Sequence, residues 1–105
     1  MKTAAPARRR ALPAERRLGD LEGVGPAVLD DFRRLGVRSV DDLARRDPEA
    51  LYRRLERLEG RRPDPCCLDV FRAAVAQAND PDLPAPMRKW WWWSRRRKAE
   101  ASRAR

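Results

Sequence analysis

The sequence contains no histidine and only two cysteines, the adjacent pair Cys66 and Cys67. Zinc sites and catalytic Cys/His pairs need several of these residues, so neither can form within this chain. A disulfide framework is also excluded, because neighbouring cysteines rarely pair and no other partner exists. This cysteine usage is typical of a reducing compartment. We therefore expect a cytoplasmic protein that holds no metal or cofactor and is not an enzyme.

Long apolar runs are absent as well. The first 17 residues carry the cations of a secretion signal without the apolar segment that should follow, and no run approaches the ~18 residues that span a bilayer. Of the 105 residues, 39% are charged, well above the ~25% of an average soluble protein, and 42% are hydrophobic. We expect one small monomeric domain with a compact helical core and no membrane span.

The net charge of +9 is unevenly distributed along the chain. Residues 1–17 carry a net +5 and residues 88–105 a net +7, whereas residues 18–87 carry −3. Both ends are rich in Ala, Arg, Pro and Ser, which predicts disordered basic arms. Such arms favour a polyanionic partner. The alternative is that they serve solubility alone.

The apolar pattern predicts five short helices and no strand. Glycine and proline mark the helix limits, because glycine ends helices and proline is favoured at their first position. The first predicted helix ends at Leu21, and the second runs from Pro26 to Gly36. The third is capped by Ser39 and ends before Pro48. The fourth runs from Pro48 to Gly60 and the fifth from Pro65 to Ala78.

Several of these segments resemble a known architecture. Residues Leu18 to Leu35, with the turn EGVG, resemble a helix-hairpin-helix motif; LGVRSVDDLARRDPEALYRRL is similar to the connector of doubled motifs, and LEGRRPD would be the second hairpin. With CCLDVFRAAV and a Trp-rich end beginning KWW, roughly Leu18 to Trp93 resembles a small bacterial family of pathogenicity-locus or mitomycin-resistance proteins. The resemblance implies an all-α fold of tandem helix-hairpin-helix units.

In helix-hairpin-helix proteins the backbone N–H groups of the turn and the following helix hold a phosphate. The resemblance carries this role to Gly23, Val24 and Gly25. Glu22 departs from the pattern, which often has proline there, and nearby acidic residues oppose a phosphate. The alternative is a purely structural turn in which Val24 fills the core.

The second hairpin carries more favourable charge. Arg61 and Arg62 immediately precede the fifth helix and are candidates to clamp a phosphate, although Asp64 partly offsets them. The alternative is a solvated loop.

Cys66 and Cys67 lie in the first turn of the fifth helix, where we expect core filling rather than a redox sensor.

Four consecutive tryptophans framed by cations form the most unusual segment. Trp90 and Trp91 head this run, and three interpretations remain open: a lid on the helical core, which the resemblance favours; stacking on unpaired bases; or an anionic membrane surface. For nucleic-acid contact the candidate residues of this segment are Arg88, Lys89, Trp90, Trp91, Arg95, Arg96 and Arg97.

Together these features predict a disordered basic arm over residues 1–14, a tandem helix-hairpin-helix domain over 15–80, and a disordered Pro/Trp/Arg-rich tail over 81–105. The predicted function is non-catalytic, sequence-independent binding of DNA or RNA, linked to DNA repair or damage tolerance. The alternative is a protein–protein interaction module that uses the acidic helical face.

Overall fold

A computed structural model describes residues 16–103, and all regular structure within them is helical. The elements, in chain order, are a 3-10 turn at Leu18–Asp20, α1 (Pro26–Arg34), α2 (Val40–Ala44), α3 (Pro48–Glu59), α4 (Pro65–Asn79), a 3-10 turn at Ala85–Arg88, and α5 (Trp90–Arg103). No strand occurs in this part of the chain. The all-α prediction is confirmed.

Local capping interactions set most helix starts where the sequence places them. Ser39, Asp47 and Asp64 cap α2, α3 and α4, and each side chain accepts a backbone N–H of the first turn at 2.9 to 3.2 Å. Proline occupies the first position of α3 and α4, where no backbone donor is needed. These short-range interactions explain why the helix limits can be read from sequence.

The hydrophobic core forms where α1, α2 and α3 meet one face of α4. The rings of Phe32 in α1 and Phe71 in α4 lie 5.5 Å apart, and both side chains are fully buried. Further buried residues around them are Leu21, Val24, Leu35, Val37, Val40, Leu43, Leu51, Leu55, Ala74 and Ala78. The first hairpin therefore sits directly on this core through its apolar residues.

Helix α4 is buried on its opposite face too. Asp69, Ala73 and Gln77, spaced four residues apart on one side of the helix, are 0%, 2% and 4% exposed. Helix α5 packs against α4, and the first hairpin reaches Gln77. The helix is thus the centre of the fold, with the core on one side and the C-terminal segment on the other.

The two ends of the described region differ from the sequence expectation. The predicted first helix is only the turn Leu18–Asp20, because the Asp20 carboxylate accepts the Arg17 N–H at 2.8 Å and so competes with helical pairing in a segment too short to nucleate. The predicted disorder of residues 81–105 is not confirmed, because residues 85–103 form a turn and helix α5. The predicted arm over residues 1–14 lies outside the described residues.

Candidate nucleic-acid interface

The first hairpin joins a tight turn to the start of α1. Gly23 adopts φ +84°, a left-handed conformation that favours glycine. Val24 is only 6% exposed and belongs to the core, so the structural role considered for this residue is confirmed. Gly25 caps α1 with extended backbone, and Pro26 takes the first helical position. The turn thus buries the Val24 side chain and leaves Gly23 and Gly25 exposed.

The N-terminal end of α1 has no capping side chain. The N–H groups of Gly25, Ala27 and Val28 donate to no atom within residues 16–103, and the first helical bond of this end runs from Leu29 N–H to the Gly25 carbonyl at 2.9 Å. A Cβ added at Gly25 would meet no atom within 4 Å. Three backbone donors without a partner in residues 16–103 are therefore grouped at the start of α1, and free amides at a helix N-terminus favour an anion.

The carboxylates around this hairpin are engaged by neighbouring cations. Glu22 pairs with Arg88 at 2.9 Å and also with Lys89, although 66 and 67 positions separate these residues in sequence. Asp30 pairs with Arg33. The negative charges of Glu22 and Asp30 are therefore compensated within the fold.

Two further acidic groups lie near the hairpin. The Asp20 carboxylate accepts the Arg17 backbone N–H. Asp31 is the residue of α1 that follows Asp30. Its carboxylate lies 3.6 Å from Arg34, whose guanidinium also reaches Glu59 at 3.3 Å. Burial, with a smaller contribution from Glu59, raises the pKa of the Asp31 carboxyl above its ordinary value. The neighbouring Arg34 guanidinium partly offsets the charge of this carboxylate.

A pair of hydrogen bonds fixes the first hairpin to α4. The side-chain amide of Gln77 accepts the Glu22 N–H at 2.9 Å and donates to the Glu22 carbonyl at 2.9 Å. Because Gln77 is 4% exposed and both its amide groups are used, the hairpin backbone is held in one orientation. The sequence analysis did not identify Gln77. The one feature that could have indicated it is that Gln77 is a polar residue in the buried row of residues 69, 73 and 77 of α4.

The second hairpin has exposed cations, but the backbone N–H groups at the start of the following helix are already hydrogen-bonded. Arg61 and Arg62 are exposed, and Arg62 lies 3.8 Å from Glu56. The Asp64 carboxylate accepts the Cys66 N–H at 2.9 Å, which lowers the pKa of Asp64, and the Cys67 N–H bonds to the Asp64 carbonyl at 2.8 Å. The amide site at the start of α4 is thus occupied by the chain's own carboxylate.

The two cysteines are not activated thiols. Burial raises the pKa of Cys67 to about 12, and its side chain packs against the core. A hydrogen bond with Asp64 raises the pKa of Cys66. The expected core-filling role is confirmed for Cys67. Within residues 16–103 no group of three or more His, Cys, Asp or Glu side chains is placed to hold a metal ion.

The four tryptophans divide into two pairs. Trp90 and Trp91 are each 42% exposed. Trp93 is half-buried and donates its indole N–H to the Met87 carbonyl at 2.8 Å, and Trp92 stands edge-on to it with ring centroids 5.0 Å apart. Packing thus fixes the second pair and leaves the first pair on the surface.

The cations of α5 point in two directions. Arg95 lies over the Trp91 ring at 4.6 Å and Arg96 over the Trp92 ring at 5.5 Å, both on the exposed side. Arg97 points inward, where Nη2 donates to the buried Asp69 carboxylate at 3.0 Å. Of the candidate contacts in this segment, Arg97 is committed to packing and Arg88 and Lys89 to Glu22. No helix of residues 16–103 is long and apolar enough to cross a bilayer.

Comparison with known proteins places this arrangement in a family. The family model Cdd1, described as "Pathogenicity locus", matches residues 13–99. The "Mitomycin resistance protein McrB" of Streptomyces lavendulae is 40% identical over 73 residues, which span 70% of this chain and 66% of that relative, just under two thirds of its length. No solved structure matches. The chain therefore belongs to the Cdd1 pathogenicity-locus family.

Proposed function

We propose that this protein is a non-catalytic nucleic-acid-binding module that binds DNA without sequence preference. The observation that carries the proposal is the open amide cluster of Gly25, Ala27 and Val28 at the start of α1. A helix N-terminus carries roughly half a positive charge, and free N–H groups there favour a phosphate. Because every nucleotide has a phosphate, such contacts position the strand without reading its bases.

Gly25 is the residue whose chemistry best fits this role. Its φ of −97° is open to any residue, and an added Cβ would meet no atom of the fold within 4 Å. Neither backbone conformation nor internal packing therefore requires glycine at this position. Close approach of an external group to the backbone would require glycine, since a Cβ would stand between that group and the amides.

Compensation of charge at the hairpin supports the same proposal. Glu22 would repel a phosphate if it were free, but its pairing with Arg88 and Lys89 brings two cations beside the turn. The hairpin surface is consequently less acidic than the sequence of residues 18–87 indicates. Arg88 and Lys89 contribute positive potential here rather than acting as separate contacts.

The two hairpins take unequal parts in this proposal. We assign the main phosphate contact to the first hairpin, because Asp64 already occupies the corresponding amides of the second. Arg61 and Arg62 then act as exposed cations beside the strand, and together the hairpins form a tandem helix-hairpin-helix unit. By charge alone the second hairpin would be the better phosphate site. The hydrogen bond from the Cys66 N–H to the Asp64 carboxylate favours the first hairpin instead.

The biological setting is part of the proposal as well. The name of the Streptomyces lavendulae relative refers to mitomycin resistance. A DNA-binding module that acts in repair or damage tolerance is consistent with such a name. We place the protein in the cytoplasm, as a monomer that binds DNA or RNA and uses no cofactor.

Anisotropy titrations of the full chain against short duplex and single-stranded oligonucleotides, at two salt concentrations, test this function. We expect log K to fall with log salt at a slope of about −4 to −6, as ~5 to 7 neutralised phosphates require. Arg61→Ala with Arg62→Ala should make the slope shallower by about 1 to 2. Absence of binding to any oligonucleotide at low salt would overturn the proposal and favour a protein-interaction module that uses the acidic face.

A further inference from the structure

The outward side of α5 carries exposed indole rings that the fold does not use. Trp93, Ser94 and Arg97 attach the helix to the rest of the protein, and Ser94 is 4% exposed. Trp90 and Trp91 lie outside these contacts and are each 42% exposed. Adjacent exposed aromatic rings rimmed by charged residues are typical of interaction sites, so this surface is a candidate binding surface.

Arginine side chains hold two rings of this helix in place. Arg95 stacks over Trp91 and Arg96 over Trp92, each four residues further along the helix and hence on the same side. Such a stack covers one face of the indole and limits its motion, while Trp91 keeps 42% of its surface exposed. The open part of the ring is thus presented in a fixed orientation, which lowers the entropy lost when a ligand stacks on it.

The charge of the same surface selects an anionic ligand. The exposed cations of α5 are Arg95, Arg96, Lys98 and Arg103. Glu100 is the acidic residue of this helix, and it lies 3.4 Å from Arg96. A ligand that combines planar rings with repeated negative charge matches alternating indoles and guanidinium groups. Nucleic acid has both features.

The mixed arrangement favours nucleic acid over a lipid surface. A helix that lies on a membrane separates an apolar face from a charged face. In α5 aromatic and cationic side chains share one side, because Arg95 stacks on Trp91 and Arg96 on Trp92. A strand with alternating bases and phosphates fits that pattern better than a lipid layer does.

We propose that the outward surface of α5 binds single-stranded nucleic acid, with unpaired bases stacked on Trp90 and Trp91 and phosphates held by Arg95, Arg96 and Lys98. In a duplex the base faces that such stacking needs are covered by the neighbouring base pairs. The inference rests on the proposed function and names its substrate class. The pairing of Glu22 with Lys89 places the first hairpin next to the residue that precedes α5.

The test compares oligothymidylate with a duplex of equal length on the full chain, by anisotropy and by tryptophan fluorescence. We expect tighter binding of the single strand and quenching that persists at salt concentrations that screen charge contacts. Trp90→Ala with Trp91→Ala should lower the single-strand affinity about tenfold or more and thus reduce the ratio of single-strand to duplex affinity. Trp90→Phe with Trp91→Phe should restore most of that ratio, and both variants should keep the parental circular dichroism spectrum.

Each other outcome overturns a defined part of the account. Equal affinities for the two substrates, or a ratio unchanged in the alanine variant, would overturn the single-strand inference while leaving the proposed function intact. Failure to bind either oligonucleotide would overturn both. Binding to vesicles of anionic phospholipid that is lost in the alanine variant, without single-strand binding, would identify α5 as a membrane-surface helix instead.

Discussion

Arg97 of α5 and Asp69 of α4 form a bidentate ion pair that joins the C-terminal segment to the centre of the fold. Nη2 donates to one carboxylate oxygen at 3.0 Å and Nε to the other at 3.1 Å. Asp69 is fully buried, whereas the Arg97 side chain is 26% exposed. The hydrogen bonds to Asp69 raise the pKa of Arg97, so the guanidinium remains charged.

Arg97→Met should therefore destabilise the protein, because it leaves the buried Asp69 carboxylate without a partner. We expect a loss of about 3 kcal/mol, which lowers Tm by roughly 10–20 °C for a domain of this size. Thermal melts followed by circular dichroism measure it. The double variant Asp69→Leu with Arg97→Met should recover much of the loss, and an unchanged Tm in the single variant would show that α5 is held by other contacts.

Glu22→Gln should strengthen nucleic-acid binding, because it releases Arg88 and Lys89 from their carboxylate. We expect a gain of about two- to fivefold at low salt that shrinks as salt rises, with a stability change below about 1 kcal/mol because the pair is partly exposed.

Asp41→Asn is the matched control for this variant. It makes the same change in net charge at an exposed residue that forms no ion pair within residues 16–103. Its nucleic-acid affinity should therefore rise less than that of Glu22→Gln. Equal gains in the two variants would mean that only total charge matters.

The thiols should react slowly in the native protein. With the pKa of Cys67 near 12, its thiolate fraction at pH 8 is about one in ten thousand, and the pKa of Cys66 is raised as well. Alkylation with iodoacetamide, followed by mass spectrometry, should be slow at pH 8 and should accelerate as pH rises. Both cysteines should react rapidly in denaturant, and fast native alkylation at neutral pH would contradict the buried placement of Cys67.

The sequence predicts α1 to α4 well because local interactions determine their limits. Capping by Ser39, Asp47 and Asp64 and the proline starts of α3 and α4 involve residues only a few positions apart. The second-hairpin arginines and the exposed Trp90 and Trp91 could be named as candidates for the same reason. Local composition was sufficient to identify them.

Helix α5 could not be predicted in this way, because distant contacts order it. Arg97 and Asp69 are 28 positions apart, and Glu22 and Lys89 are 67 apart. Without these distant contacts, the polar, Arg-rich composition of α5 is similar to that of a disordered arm. The available signal was the row Asp69, Ala73 and Gln77, whose regular spacing marks a second buried face of α4 that some further element must cover.

The central claim is that the amides at the start of α1 hold a phosphate, and Gly25→Ala tests it most directly. Loss of glycine flexibility and loss of a favourable N-cap act in opposite directions, so the stability change should stay within about 1 kcal/mol. Gly19→Ala is the control, since its Cβ would make an ordinary 3.7 Å contact with Leu29.

The measurement is duplex affinity by anisotropy at low salt, for parent, Gly25→Ala and Gly19→Ala. We predict that Gly25→Ala binds about tenfold more weakly, as loss of charge-assisted hydrogen bonds to a phosphate implies, while Tm and the control affinity stay near parental values. Parental affinity in a folded Gly25→Ala protein would contradict the account, since the added Cβ would then lie where nothing approaches the backbone.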